Sequence, residues 1–260
     1  MAQQGFVYEE NAYAALQKYN ISTGGTAGAS HDKPDLTIQK GKLKTGVELK
    51  LSPTAAGSLV MKYTNGKWDF GDIGKDPEKL FLVALAKKFN LLREMNTNGQ
   101  YGANWRKSIP ALQNDAQGKK ILVGAKTKEE AYKKDLKAFG AGNEVHIPVP
   151  ATAICEYYIA KKCSYINVGT TGFYTLNGVD ALKLNAALAK NKQPPIPNFA
   201  TSTSAKIRIR CQYKGGGDYQ FVMTLQFGTV KKSPYNIAPM QGTGVIDKPK
   251  LAKDPLIQAF

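Results

Sequence analysis

The chain has 260 residues, 42% of them hydrophobic and 22% charged, which is ordinary for a globular protein with a sizeable core. No apolar run reaches the roughly 18 residues of a membrane-spanning helix, and the N-terminus lacks the pattern of a signal peptide, so we expect a cytoplasmic protein without membrane contact. Lysine and arginine number 36 against 20 aspartates and glutamates, a net charge of +16 that favours a nucleic-acid partner over an anionic membrane surface.

The first half of the chain predicts a helix followed by an antiparallel meander. Residues 6–19 form the helix, and the apolar periodicity places Glu9 on its inward face, although Glu10 would be the inward acid if the helix were rotated. Alternating residues and turn signals predict the strands that follow. These strands lie at about 21–26, 35–39, 45–51, 58–64, 67–70 and 120–124, and a second helix runs from 77 to about 96.

The second half predicts more helices and a second hairpin. Thr127 with Glu130 is a capping box, which predicts a helix to about residue 139. Further helices are predicted at 150–162 and 178–190, strands at 164–168, 172–176, 206–213 and 219–227, and an extended tail from 231 onward.

Several kinds of site are not expected from this composition. Three cysteines, none in CxxC spacing, and two histidines do not favour a disulfide framework, a zinc site, or a nucleophile activated by histidine. The glycine-rich segments 24–28 and 214–218 lack the lysine and serine of a phosphate-binding loop, so we expect no nucleotide cofactor.

Two carboxylates and a lysine on neighbouring predicted strands form the main candidate site. Glu48 and Lys50 point to the same face of one strand, because side chains alternate. Asp35 opens the preceding strand, and the short turn between the strands brings it beside Glu48. Carboxylate oxygens, with water and phosphate oxygens, suit Mg²⁺ or Mn²⁺, and such an ion activates bound water. Glu9 would add a further carboxylate.

The spacing of Pro34-Asp35, twelve residues, and Glu48-Leu49-Lys50 resembles the signature of the PD-(D/E)XK nuclease superfamily. The run 5–9, with a glycine and an aromatic before an acid, is similar to the first helix of Holliday-junction resolvases. The resemblance covers about the first 125 residues. It implies a restriction-endonuclease-like α/β (α+β) core, in which helix–three strands–helix–strand form a mixed sheet flanked by helices. The added hairpin at 58–70 departs from that minimal core.

The resemblance also implies a role for each residue of the site. Asp35, Glu48 and the carbonyl of Leu49 would bind the metal, Lys50 would position the attacking water, and Glu9 would support catalysis or add a metal ligand. We therefore predict a Mg²⁺-dependent endodeoxyribonuclease in which Mn²⁺ can substitute.

The predicted division of the chain is a nuclease core at 1–125 and an α+β extension at 126–260 that completes the domain and contacts DNA. Lysines beside the site and a basic strand face are candidates to contact phosphates, although the strand face is equally well explained as solvated surface. The candidates are Lys42, Lys44, Lys206, Arg208 and Arg210.

Double-stranded DNA is the predicted substrate, and the size of the extension favours a sequence-specific endonuclease of restriction-like or homing-like type. Cutting both strands favours a homodimer with one site per strand. A junction resolvase, an RNA nuclease and a non-catalytic nucleic-acid-binding protein are the alternatives.

Overall fold

The computed structural model describes residues 2–26, 33–52, 55–64, 67–71, 73–93, 112–114, 120–122, 127, 130, 144–213, 219–242 and 244–260. The protein has the predicted mixed α and β class, with two five-stranded sheets, a two-stranded sheet and several helices among these residues. Within the same ranges, no helix is long and apolar enough to cross a membrane. The chain divides into two compact units: unit 1 comprises Met1–Ala56, Val149–Lys206 and Gln226–Phe260, and unit 2 comprises Gly57–Pro148 and Ile207–Leu225.

The described helices and strands are numbered in chain order. They are α1 (Ala2–Gln17), β1 (Ser22–Thr23), β2 (Leu36–Lys40), β3 (Leu43–Lys50), β4 (Ala55–Thr64), β5 (Lys67–Phe70), α2 (Pro77–Lys88), β6 (Leu112–Asn114), β7 (Lys120–Leu122), β8 (Glu144–Val149), α3 (Thr152–Ala160), β9 (Cys163–Val168), β10 (Gly172–Thr175), α4 (Leu184–Lys190), α5 (Phe199–Ser202), β11 (Ala205–Tyr213), β12 (Tyr219–Phe227), α6 (Lys248–Ala252) and α7 (Pro255–Ala259).

Unit 1 is built on a mixed sheet in the order β1-β2-β3-β9-β10. The first three strands form the predicted antiparallel meander, β3 pairs parallel with β9, and β9 pairs antiparallel with β10. A parallel pair cannot be closed by a tight turn, so the chain must cross over between β3 and β9, and α3 directly precedes β9.

Helix α1 covers one face of this sheet. Its inward residues Ala12 and Leu16 are fully buried and belong to the same apolar cluster as Leu36 and Val47 of the central strands. Burial of a side chain as large as leucine contributes about 1.5–3 kcal/mol, so this face anchors the helix. The predicted helix at 6–19 is thus confirmed, with an earlier start at Ala2.

The predicted division at residue 125 does not match the two units. In unit 1 the helix after the three strands is α3 and the next strand is β9, rather than the predicted segments 77–96 and 120–124. The segment 57–148 lies in sequence between β3 and α3 and belongs to unit 2. Strand β7 does form, but it pairs with β6 in a separate two-stranded sheet.

Unit 2 contains most of the second sheet, in the order β5-β4-β12-β11-β8. Both predicted hairpins are present as neighbouring strands, β4 with β5 and β11 with β12, while their turns at 65–66 and 214–218 lie outside the described residues. Helix α2 begins where predicted, because Asp76 Oδ1 accepts hydrogen bonds from the amides of Glu78 at 3.0 Å and Lys79 at 3.3 Å.

Two predicted helices are shorter than expected. The helix that begins at Pro77 is interrupted after Lys88, where Asn90 adopts a left-handed conformation with φ of 51°. Residues 91–93 are helical again, and residues 94–96 lie outside the described ranges. The helix predicted at 178–190 begins only at Leu184, whose amide donates to Asp180 Oδ1 at 3.0 Å. The capping box is formed, with Thr127 Oγ1 accepting from the Glu130 amide at 3.1 Å, but residues 131–139 lie outside the described ranges.

The C-terminal tail is packed rather than extended, contrary to the prediction. It contributes α6 and α7 and buries Tyr235, Ile237 and Leu256 in the core of unit 1. The prediction was wrong because it weighed prolines and lysines and not the apolar residues between them. Each helix is capped by an aspartate, Asp247 or Asp254, and carries a proline at one of its first two positions.

Candidate active site

Strands β2 and β3 bring the three predicted site residues together in unit 1. Leu36, the first residue of β2, pairs with Val47, so the preceding residue Asp35 lies beside Glu48. Asp35 Oδ2 accepts a hydrogen bond from the Leu49 amide at 2.8 Å, which fixes the carboxylate against β3. Both carboxyl side chains are withdrawn from solvent, with Asp35 8% and Glu48 1% exposed.

Glu48 is bound by two lysines. Lys50 Nζ lies 2.6 Å from Glu48 Oε1, and Lys161 Nζ donates to Glu48 Oε2 at 2.9 Å. The first lysine is two residues along β3, as the strand periodicity predicts, and the second comes from the turn between α3 and β9. Each carboxylate oxygen of Glu48 therefore has a cationic partner.

Tyr158 of α3 forms an apolar wall beside both lysines. The Nζ atoms of Lys50 and Lys161 lie 5.5 Å and 5.8 Å from the centre of its ring, within the range of cation–π attraction. The ring is fully buried, and its hydroxyl has no hydrogen-bond partner within the described part of the chain. Helix α3 thus supplies the apolar surface beside the cluster, and the turn that follows it supplies one of the two cations.

Gly46 allows the three segments that carry these side chains to approach one another. A Cβ atom at this position would lie 2.5 Å from the Cβ of Pro34 and 2.6 Å from the carbonyl oxygen of Lys162. Pro34 directly precedes Asp35, and Lys162 directly follows Lys161. Only a residue without a side chain permits both contacts.

Glu9 on α1 is the third acid of the cluster, and it is Glu9 rather than Glu10 that faces inward. Its Oε2 atom is buried without a hydrogen-bond partner in the described structure, whereas Glu10 is exposed. The neighbouring Tyr8 holds the helix in register, because its hydroxyl donates to the Ala238 carbonyl at 2.8 Å and accepts from Asn167 Nδ2 at 3.1 Å.

The charges in the cluster shift the pKa values of its members in different directions. Burial, reinforced by the negative charges of Asp35 and Glu48, raises the pKa of Glu9 to about 8. Burial and the charge of Glu48 likewise raise the pKa of Asp35 to about 6. Burial opposes ionisation of Glu48 too, but Lys50 and Lys161 outweigh it and lower its pKa. The negative charge of Glu48 raises the pKa of both lysines, despite their burial.

The cluster offers oxygen atoms, which are the type of ligand that a hard divalent cation prefers. Asp35 and Glu48 supply carboxylate oxygens on adjacent strands, and the orphaned Oε2 of Glu9 is a buried acceptor that a cation or its bound water would satisfy. Within the described ranges, no three side chains of the His, Cys, Asp and Glu types are arranged so that they could hold a metal ion. A metal here would depend on two carboxylates, backbone and water for its ligands.

The predicted DNA-contacting residues fall in two places. Lys42, in the turn between β2 and β3, and Lys44 on β3 are exposed in unit 1, but the hairpin register places that turn at the end away from Asp35 and Glu48 rather than beside them. The basic face lies on β11, a strand with neighbours on both sides. Alternation is confirmed on that strand, since Ile207 and Ile209 are buried while Lys206, Arg208 and Arg210 are half-buried.

Lys161 and Tyr158 were missed as site residues by sequence reasoning. Nothing local in the sequence links Lys161 to β3. The available signal was the sequence Tyr158 to Lys162, in which two lysines end an apolar helix directly before a buried strand. Its meaning depends on that strand pairing with β3, which places Glu48 opposite Ile166.

Comparisons with known proteins leave the site to be judged on its own geometry. No protein-family model, no curated protein and no solved structure matches this chain.

Proposed function

We propose that this protein is a metal-dependent DNA endonuclease that hydrolyses phosphodiester bonds, with an active site formed by Asp35, Glu48 and Lys50. The observation that carries the proposal is their convergence, with Glu48 paired to Lys50 at 2.6 Å and Asp35 held by the Leu49 amide at 2.8 Å. Removing charged groups from water costs free energy that their mutual attraction often does not recover, so a buried cluster of charges adds little to stability. Its presence is therefore better explained by a catalytic role than by a role in folding.

The order of elements in unit 1 supports the same proposal. Helix α1, strands β1 to β3, helix α3 and strand β9 follow the order that the resemblance to PD-(D/E)XK nucleases implies, with the segment 57–148 inserted after the third strand. We propose that this unit is a restriction-endonuclease-like core. The candidate residues then occupy the positions at which the resemblance places the catalytic ones.

The protonation states of the cluster suggest a division of work. Lys50 and Lys161 stay cationic because Glu48 raises their pKa values, so they act as charges and hydrogen-bond donors and not as bases. Lys50 can orient the attacking water and offset the charge on the phosphate, while Lys161 holds Glu48 ionised. A Mg²⁺ or Mn²⁺ ion held by Asp35, Glu48 and the Leu49 carbonyl would lower the pKa of a bound water and stabilise charge on the phosphate.

Glu9 can supply a proton or accept one near neutral pH. With a pKa of about 8, its carboxyl is mostly protonated at pH 7 in the metal-free protein, and a cation nearby would favour its ionised form. This is the supporting role that the resemblance implies for the acid on the first helix.

The test is cleavage of a panel of substrates in Mg²⁺ or Mn²⁺: supercoiled plasmid, linear duplex, single strands, RNA and a four-way junction, with mapping of the cut ends. We expect the wild type to cut duplex DNA, and Glu48→Gln and Lys50→Gln to lose cleavage while they keep most of their DNA binding. Glu10→Gln is the matched control, because Glu10 is exposed one residue from Glu9, and it should cut normally.

Other outcomes separate the alternatives. Cleavage confined to the junction would favour a structure-selective resolvase, and binding without cleavage in either metal would favour a non-catalytic DNA-binding protein. Cleavage that persists in both Glu48→Gln and Lys50→Gln would exclude the proposed site. Sequence specificity and a homodimer stay predictions, tested by the end mapping and by sedimentation of the DNA-bound protein.

A further inference from the structure

A groove in unit 1 begins where the acidic and basic cluster ends. Its volume is about 610 Å³, and it is lined by the segment 24–26, by Lys33 and Pro34 before β2, by residues of β2 and β3, and by Lys162. Pro34 is bonded to Asp35, and Lys162 to Lys161, so two of its lining residues are direct neighbours of site residues.

The chemistry of the groove suits a chain of phosphates. Three lysines line it, Lys33, Lys44 and Lys162, and all three are exposed. No carboxylate is among the described residues that form its walls, although the chain carries 20 of them. Where described residues line the groove, its lysines therefore have no carboxylate beside them, and this is the arrangement that attracts a polyanion.

The rim formed by Gly24 and Gly25 is open. Both glycines have positive φ, 83° and 89°, and a Cβ atom added to either would meet no other atom within 4 Å. The backbone here is therefore accessible to a ligand. Thr26 and Thr37, which carry hydroxyl groups, also line the groove. Backbone amides and hydroxyl groups are common phosphate partners beside lysine.

The groove runs in line with the candidate site along β3. Lys44, Gly46 and Glu48 alternate onto one face of this strand, and four residues of strand span roughly 13 Å at about 3.3 Å per residue. Successive phosphates of one strand rise by about 3.4 Å along the duplex axis and lie farther apart along the backbone, so this length covers fewer than about four nucleotides. A single phosphate would fill only a fraction of such a groove.

We propose that this groove binds the phosphodiester backbone of the DNA strand being cut, at the nucleotides next to the scissile phosphate on one side. The inference rests on the proposed nuclease function for its substrate. It adds Lys33 and Lys162 to the contacts, and it assigns to Lys44 a place in a continuous track beginning at the metal-binding residues. Lys42, which does not line the groove, has no place in this track.

The experiment measures binding apart from cleavage. Fluorescence anisotropy of a labelled DNA duplex is recorded in EDTA over a series of KCl concentrations for the full-length wild type, a groove variant and a control variant. The groove variant is Lys33→Gln, Lys44→Gln and Lys162→Gln combined. The control removes the same charge from exposed lysines of unit 1 outside the groove, as Lys190→Gln, Lys192→Gln and Lys232→Gln combined.

We expect the groove variant to bind more weakly and to reduce the slope of log K against log salt by about 2 to 3, since each lost phosphate contact removes about 0.9 from it. The control should change the slope by less than about 1. Equal changes in the two variants, or no change in the groove variant, would overturn the proposal. The single variants Lys44→Gln and Lys162→Gln, each expected to remove about 0.9, keep the test decisive if the triple variant does not fold.

The experiments distinguish an error in the groove proposal from an error in the proposed nuclease function. A protein that cuts DNA through Glu48 and Lys50 but binds DNA equally well without the groove lysines retains its proposed function and loses the groove. A protein whose salt dependence requires the groove lysines, but which cuts nothing in Mg²⁺ or Mn²⁺, retains the groove as a DNA-binding track and loses the nuclease.

Discussion

At the residue scale, the ionisation of Glu48 depends on its two lysine partners. Its carboxylate accepts hydrogen bonds from Lys50 at 2.6 Å and from Lys161 at 2.9 Å. Burial alone would raise the pKa of Glu48. With the two lysines, the carboxylate is held ionised and its pKa lies below the ordinary value. Lys161 therefore acts through Glu48, as a positioning residue.

Removing Lys161 should change both stability and pH dependence. Lys161→Gln is expected to cost about 1.5–3 kcal/mol in the free energy of unfolding, the usual value of a hydrogen bond to a charged group. It should also raise the pKa of Glu48, so that the acid limb of a pH–rate profile moves to higher pH. Urea unfolding and cleavage rates between pH 5 and 8 measure the two effects.

The neighbouring Lys162 provides a control for the stability part of this prediction, because its side chain is exposed. Lys162→Gln should cost less than about 0.5 kcal/mol in stability. An acid limb that does not move in Lys161→Gln, in a variant that remains folded, would show that Lys161 does not hold Glu48 ionised.

Glu9 makes a separate prediction about stability. Its pKa is raised from 4.5 to about 8 on folding, so the folded protein binds a proton that the unfolded chain has released between these values. Stability contributed by this group is present at low pH and is lost as pH rises toward 8. Glu9→Gln should therefore stabilise the metal-free protein at pH 8.5 relative to wild type, and much less at pH 5.

Denaturant unfolding in EDTA at the two pH values measures this difference. Glu10→Gln should behave alike at both, because Glu10 is exposed. If Glu9→Gln changes the free energy of unfolding by the same amount at pH 5 and pH 8.5, then the Glu9 carboxyl does not titrate in this range.

At the scale of elements, Gly46 is the point at which β3, the entry to β2 and the turn after α3 meet. Gly46→Ala would place a methyl group 2.5 Å from Pro34 Cβ and 2.6 Å from the Lys162 carbonyl oxygen, so these segments must separate. We expect a loss of about 1–3 kcal/mol in stability, with a loss of cleavage beyond that caused by unfolding.

Gly5→Ala is the matched control for this change. Gly5 lies in α1 with no atom within 4 Å of an added Cβ, and alanine in a helix interior is worth about 0.5–1 kcal/mol over glycine. Thermal melting and cleavage rates of both variants give the comparison. Normal stability and cleavage in Gly46→Ala would mean that the close approach is not required.

The same elements show what the sequence could predict. Periodicity correctly placed Glu48 and Lys50 on one strand face and Asp35 beside them, because a short turn leaves β2 and β3 little choice of partner. It assigned the fourth strand wrongly. The pairing of β3 with β9 joins segments separated by residues 51–162 and is decided by tertiary packing, which leaves no local pattern. Lys161 and Tyr158 were missed for the same reason.

At the scale of the whole molecule, the net charge of +16 and the buried cluster have different electrostatic roles. The excess of lysine and arginine attracts a polyanion without regard to sequence. Within the cluster, Lys50 and Lys161 are already paired with Glu48, so the charge that develops on a bound phosphate is left for a metal ion to stabilise. DNA binding should therefore need no metal, whereas cleavage should require one. This separation is the main expectation of the account.

Cleavage of supercoiled plasmid by wild type and Asp35→Asn, followed as Mg²⁺ is raised from zero into the millimolar range, tests the central claim most directly. The account predicts no cleavage without metal, saturable cleavage with it in the wild type, and loss of that cleavage in Asp35→Asn, with DNA binding retained in both. Cleavage by the wild type in EDTA, or equal Mg²⁺-dependent cleavage by Asp35→Asn, would contradict it.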